Sequence, residues 1–198
     1  MTGTGVDVLE EKEQLAGTII NEALSEKERL FALFSGDKAS LVLLHMLQAA
    51  GGGRITVPVI SFQFLPLPAE ALRFVDKLRR MWSIDLDVAR FSEQRGMEKY
   101  TEEEISKLID GVLLKRGARR VISSRNLFSV ERDRFVEFRP LDGFSEEDVA
   151  EYIRRHRLPT SSVDLDEKDG VMINTVSEQS TDPENKELAD RLKKLGYL

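Results

Sequence analysis

Six consecutive residues, Ser35-Gly36-Asp37-Lys38-Ala39-Ser40, carry the densest chemistry of this 198-residue sequence. Ser35 and Gly36 make a tight turn, Lys38 supplies a compact cation, Asp37 a carboxylate and Ser40 a hydroxyl. The run ahead of them, Leu30-Phe31-Ala32-Leu33-Phe34, is continuously apolar, as a parallel strand covered on both faces would be. The run behind them, Leu41-Val42-Leu43-Leu44-His45, reads as a helix that starts at once. Such a helix start offers unpaired backbone N–H groups and the positive end of the helix dipole, which together favour a phosphate. The spacing therefore predicts an anion site at the carboxyl end of a first strand. Any strand-turn-helix of an α/β protein shares part of this pattern. The loop is not a Walker A motif, because the second glycine and the Gly-Lys-Ser/Thr ending are missing.

The elements that must position this loop follow from periodicity. Residues 7–26 form an expected helix with Leu15, Ile19, Ile20, Ala23 and Leu24 on one stripe. After the loop helix, Gly51-Gly52-Gly53 ends the element, and Thr56 to Phe62 reads as a second strand with Pro58 near its start. A proline-stiffened loop, Gln63 to Glu70, leads into a helix over about 69–82 with Leu72, Val75, Leu78 and Trp82 on its buried face. Ile84, Leu86 and Val88 alternate with Asp85 and Asp87, a half-exposed strand. Thr101 with Glu104 has capping-box spacing ahead of a helix that ends at Gly117. Val121-Ile122-Ser123-Ser124 is a short strand closing in Arg125-Asn126. Ser145 is an expected N-cap with Asp148 at N3, and Val149, Tyr152 and Ile153 face inward. Residues 161–182 are polar, acidic and aperiodic, which reads as loop or partial disorder. Asp182 and Pro183 open a last helix that Gly196 stops. Strands alternating with helices point to an α/β fold with a mostly parallel sheet, a three-layer sandwich. The expected division is residues 1–160 as one domain and 161–198 as a polar loop and helix packed on it or trailing from it.

Ser35 to Ser40 resembles the pyrophosphate loop Ser-Gly-Gly-Lys-Asp-Ser of the adenine-nucleotide α-hydrolase-like superfamily, with Asp37 in place of its second glycine and Ala39 in place of its aspartate. The continuation Leu41 to His45 is similar to one branch, phosphoadenosine-phosphosulfate reductase with the small subunit of sulfate adenylyltransferase. A second match runs from Phe138-Arg139-Pro140-Leu141 through Ser145-Glu146-Glu147-Asp148-Val149 to Tyr152-Ile153 and Leu158-Pro159. The resemblance covers roughly residues 10–160. It implies an adenine-nucleotide site in which Ser35, Gly36, Asp37, Lys38 and Ser40 hold phosphates, and Ser61 and Phe62, with Gln63, lie beside the adenine. Lys38 and Asp37 are then the catalytic candidates, Asp37 as a substitute metal ligand. Arg125 matches the family's nucleotide-facing arginine, and Arg132 and Arg134 are candidates for a later one. A guanidinium forks onto phosphate or sulfate oxygens. An active member would form or break the bond between α and β phosphates of ATP or an adenylyl sulfate, as a nucleotidyltransferase or ATP pyrophosphatase. The alternatives are a catalytically impaired nucleotide sensor or assembly subunit, and an ATP-dependent sulfur- or tRNA-modifying enzyme.

Bulk numbers narrow these. Net charge is −6, with 29 basic and 35 acidic residues, where a nucleic-acid footprint would usually be basic. Nucleic acid is therefore not the expected partner; an adenine nucleotide is, with a partner subunit or a homo-oligomer left open. The chain has no cysteine, so thiolate zinc, a cysteine-held iron–sulfur cluster and the cysteine that a reductase of this family carries in its C-terminal tail are all missing. His45 and His156 make no metal-spacing motif, and neither haem nor a resident metal is expected. Magnesium arriving with ATP is the one cofactor the resemblance implies. The sequence shows no signal peptide and no apolar span of membrane length, so the expected location is cytoplasmic.

Overall fold

The computed structural model describes residues 8–63, 69–91, 102–124 and 135–160, and the backbone of 167–168 and 171–172. Helix α1 (Val8–Ser25) leads into strand β1 (Leu30–Leu33), helix α2 (Lys38–Ala50), β2 (Val59–Gln63), α3 (Ala69–Met81), β3 (Leu86–Arg90), α4 (Glu102–Lys115), β4 (Arg120–Ile122), β5 (Val136–Phe138) and α5 (Glu146–His156). The five strands are all parallel, in the order β3-β2-β1-β4-β5. The α/β architecture expected from the alternation is therefore present. The β5 ladder was not readable as a strand, because three residues are too few to show a period.

Handedness explains the layers. From β1 through β3 the chain moves one way across the sheet, so right-handed crossovers put α2 and α3 on one face; the return from β3 to β4 puts α4 on the other. The cores follow this split. Ala32, Val59 and Ile122 point into a core with α1, α2, α3 and α5, whereas Leu33, Ile60, Phe62 and Val121 meet Ile105, Ile109 and Leu113 of α4. Helix α2 lies at the centre of the first layer, buried on nearly every side from Ala39 to Leu44, and α1 and α5 both pack against it.

Two residues expected inside lie outside. Leu15 of α1 and Leu72 of α3 are exposed; the buried stripe of α1 is Leu9, Ala16, Ile20 and Ala23, and that of α3 centres on Ala71 and Leu78. Strand β2 begins after Pro58, which has no N–H for the ladder. Strand β3 begins at Leu86, since the Ile84 N–H is drawn back to the Arg79 carbonyl at 3.0 Å. Within the stretch read as loop, β6 (Glu167–Lys168) and β7 (Val171–Met172) form an antiparallel pair, and Met172 joins the ladder at Gln63. The expected last helix and the Thr101 capping box lie outside the described residues. Among those described, no helix is long and apolar enough to cross a membrane.

The two histidines, distant in sequence, meet in the helical layer. His45 of α2 shares a 2.9 Å hydrogen bond with the Tyr152 hydroxyl of α5, and its ring lies 5.2 Å from that of His156 and 6.0 Å from Trp82. His156 in turn faces Glu13 of α1 at 3.6 Å. No group of three metal-ligating side chains forms among the described residues. Burial first, and His156 second, hold the His45 imidazole below its ordinary value. A depressed histidine stays neutral in the fold while the unfolded chain takes up its proton near pH 6.5, so this contribution is whole above that value and is lost below it. Asp87, bonded by Arg116, and Asp148, bonded by Lys12, have values below the ordinary carboxylate one, so they act at much lower pH. The melting temperature should fall between about pH 7.5 and 5.5, and His45→Gln should flatten that fall. An equal fall in the variant would remove His45 as its source.

Candidate functional site

The order β3-β2-β1-β4-β5 reverses beside β1, and in such sheets ligands sit beyond the carboxyl ends of strands at that point. The β1–α2 loop lies there. Gly36 adopts φ 91°, a left-handed value that glycine takes without cost, and this turns the chain from strand into helix. Asp37, extended at φ −75° and ψ 173°, is the N-cap of α2. Its Oδ1 accepts the Ser40 N–H at 2.7 Å and the Ser35 hydroxyl at 2.9 Å. Ser40 Oγ donates to the Asp37 carbonyl at 3.0 Å and accepts the Gly36 N–H at 3.1 Å. Lys38 stands exposed at the first helical position. The five loop residues named from sequence are thus brought together, and Ser35, Gly36, Asp37 and Ser40 are hydrogen-bonded among themselves.

That closure decides the electrostatics. A helix N-terminus attracts an anion because several of its N–H groups have no partner inside the helix. Here a carboxylate from the loop already caps that end. A phosphate entering at Ser40 must displace the Asp37 carboxylate or bind beside it, at a Coulomb cost of about 4 kcal/mol for unit charges 4 Å apart near a protein surface.

The other candidates divide. Ser61 points into the layer of α2, fully buried, and its hydroxyl has no hydrogen-bond partner. Phe62 points the opposite way, into the α4 core, and stacks on Phe91 at 6.3 Å; only its backbone faces the strand end. Arg125, Arg132 and Arg134 lie outside the described residues. Sequence reasoning missed other groups along the carboxyl edge. Arg90 Nε, at the end of β3, donates to Gln63 Oε1 across the ladder at 3.3 Å. Ser123, just after β4, donates to Glu137 of β5 at 2.9 Å. The polar last residues of β2 and β3, Gln63 and Arg90, were the available signal there, and Glu137, in the middle of β5, required reading β5.

A doubly wound parallel domain with a serine–glycine loop between β1 and the central helix has the organisation of the adenine-nucleotide α-hydrolase-like superfamily. The family model for the phosphoadenosine phosphosulfate reductase domain matches residues 29–164, more than half of the chain, and the chain belongs to that family. Among solved structures it is similar to the phosphoadenylyl-sulfate (PAPS) reductase of Candida auris in a phosphate complex, with 13% identity and a TM-score of 0.58 over 81% of this chain and 92% of that one. The U34-tRNA thiolase NcsA of Methanococcus maripaludis, with its 4Fe–4S cluster, matches with 14% identity and a TM-score of 0.57 over 94% and 73%. The FMN adenylyltransferase of Candida glabrata, in complex with FAD and inorganic pyrophosphate, matches with 11% identity and a TM-score of 0.59 over 80% and 63%. At these identities the likeness is one of fold. No curated protein sequence matches the chain.

Because α2 is the central helix, its cap bears on global stability. Asp37→Ala should lower unfolding stability by about 1 kcal/mol, read as a shift of the urea midpoint at constant slope. No shift would mean that the cap is replaced by solvent without loss.

Proposed function

We propose that this chain binds an adenine nucleotide, ATP or an adenylyl sulfate, at the carboxyl edge of its sheet, in the manner of the sulfate-assimilation branch and without thiol-dependent reduction. The observation that carries the reading is the β1–α2 loop itself. A left-handed glycine, two serine hydroxyls and an exposed Lys38 surround the N-terminus of a buried helix at the switch in strand order. Family membership supports it, as do the complexes of similar folds with phosphate, with ATP, and with FAD and pyrophosphate. Reduction finds no support, since the sequence holds no cysteine.

One observation favours a second reading, binding with little or no turnover. Chemistry between α and β phosphates relies on stabilising charge that develops on phosphate oxygens. Asp37 places a negative charge at that point, and the acid the resembled loop carries at position 39 is an alanine here. Magnesium fits only as an ion brought by the nucleotide: it is held through phosphates and one or two carboxylates, and the loop's single carboxylate is engaged by Ser35 and Ser40.

Calorimetric titration with ATP, AMP and adenylyl sulfate, with and without magnesium and beside a pyrophosphate-release assay, separates these readings. ATP should bind, Lys38→Ala should weaken it at least about tenfold, and Asp37→Gly should tighten it about tenfold, near 1.4 kcal/mol. Release of pyrophosphate by the unaltered protein would restore the active-enzyme reading. If none of the three nucleotides bound at millimolar concentration, nucleotide binding would be overturned.

A further inference from the structure

We infer that the acidic outer face of α1 on one copy of this chain docks on the basic outer face of α3 on a second copy, joining copies head to tail. The two helices hold four of the exposed large apolar side chains, Val8 at 63% and Leu15 at 61% on α1, and Leu72 at 44% and Met81 at 46% on α3. Leu15 and Leu72 are the residues that periodicity assigns to a buried face, and among the described residues both are exposed.

Charge on the two faces is opposite. On α1, Val8, Glu11, Leu15 and Glu22 fall on one exposed stripe. On α3, Arg73, Lys77 and Arg80, with Asp76 and Met81, line a groove of about 550 Å³. Inward-facing charges on α1 are paired, Lys12 with Asp148 and Glu13 with Arg155 and His156. Glu11, Glu22, Arg73, Lys77 and Arg80 make no ion pair among the described residues. Helix dipoles explain only part of this pattern. They suit Glu11 in the first turn of α1 and Arg80 in the last turn of α3. They disfavour Glu22 in the last turn of α1, and they leave Arg73 and Lys77 unexplained.

The faces cannot meet within one molecule. Helix α1 packs over β4 and β5, and α3 crosses from β2 to β3, on the other side of β1. The distance from Val8 to Leu15 and that from Arg73 to Arg80 are each seven residues of helix, about 10.5 Å, so an apolar pair on one lies along the cation stems of the other. A contact between different faces of identical chains is heterologous, and it closes into a ring or extends as a chain of copies. A single pair of helices buries less than a stable interface does, so the association is weak and governed by salt. A nucleic acid is the less suitable occupant of α3, since it would approach a molecule of net charge −6.

Sedimentation velocity of the whole chain over about 10 to 500 µM at low salt should show a weight-average coefficient that rises with concentration, and the rise should vanish near 1 M salt, where the screening length is about 3 Å. The triple variant Arg73→Glu/Lys77→Glu/Arg80→Glu and the double variant Glu11→Lys/Glu22→Lys should each sediment as monomers with unchanged circular dichroism. Mixed one to one, they should associate again, because each supplies the face that the other lost. Leu15→Ser, a milder change, should weaken self-association at least about fivefold. A monomeric unaltered chain, association that survives in either charge variant, or a mixture that stays monomeric would overturn the proposal, the first outcome leaving the α3 groove to a foreign acidic segment or a nucleic acid.

Discussion

The carboxylate of Asp37 on the Ser40 N–H fixes where the central helix begins, and much of the molecule is arranged on that helix. A helix buried from its first turn cannot leave its terminal N–H groups to water, so each needs a partner from the chain or from a ligand. The resembled loop carries glycine at this position and so has no side-chain cap of its own there. This chain supplies one internally, and Ser35 and Gly36 complete it by bonding to Asp37 and Ser40. The loop's own hydrogen bonds consequently support its geometry. α2 then offers a settled surface to α1 and α5, and the His45–Tyr152–His156 contact is one product of that settled packing.

The same sheet order that buries α2 gathers the polar strand ends. With β1 central and β4 returning on its far side, Gln63 and Arg90 link the ends of β2 and β3, and Ser123, just after β4, links to Glu137 within β5. Ser61 differs from these pairs. Its hydroxyl is buried against the α2 layer without a partner, and a buried hydroxyl left unsatisfied costs about 1–3 kcal/mol. It is one of the polar groups the fold itself does not explain, and it lies in the middle of β2.

What was legible in the sequence was local. The strand-turn-helix at 30–45 and the Ser145 capping box with Asp148 depend on neighbours a few residues apart, and both stand as the spacing indicates. Longer-range features were hidden. Whether Leu15 or Leu9 faces the core turns on where α1 meets the sheet, and the helical stripe alone admits either. The meeting of His45 with His156 depends on α2 and α5 lying side by side, which no spacing records. β5 is held by three ladder positions against β4, and it becomes a strand only because β4 is there.

Position 39 shows why the altered loop is more than a missing ligand. The resembled loop carries its aspartate in the first turn of the helix. Here Ala39 is buried in the core with Phe34 and Leu43, so an aspartate at that position would place a carboxylate among apolar side chains unless the turn shifted. Burying an unpaired carboxylate is expensive enough that it would protonate or push the helix end outward. Two positions earlier, at the cap, a carboxylate meets an N–H and a hydroxyl and is stable where it stands. The acid at 37 and the small apolar residue at 39 therefore belong together: one closes the helix end, and the other lets that end pack against the sheet. Exchanging either alone changes stability as well as binding, so loop variants are interpretable only when stability is measured alongside binding.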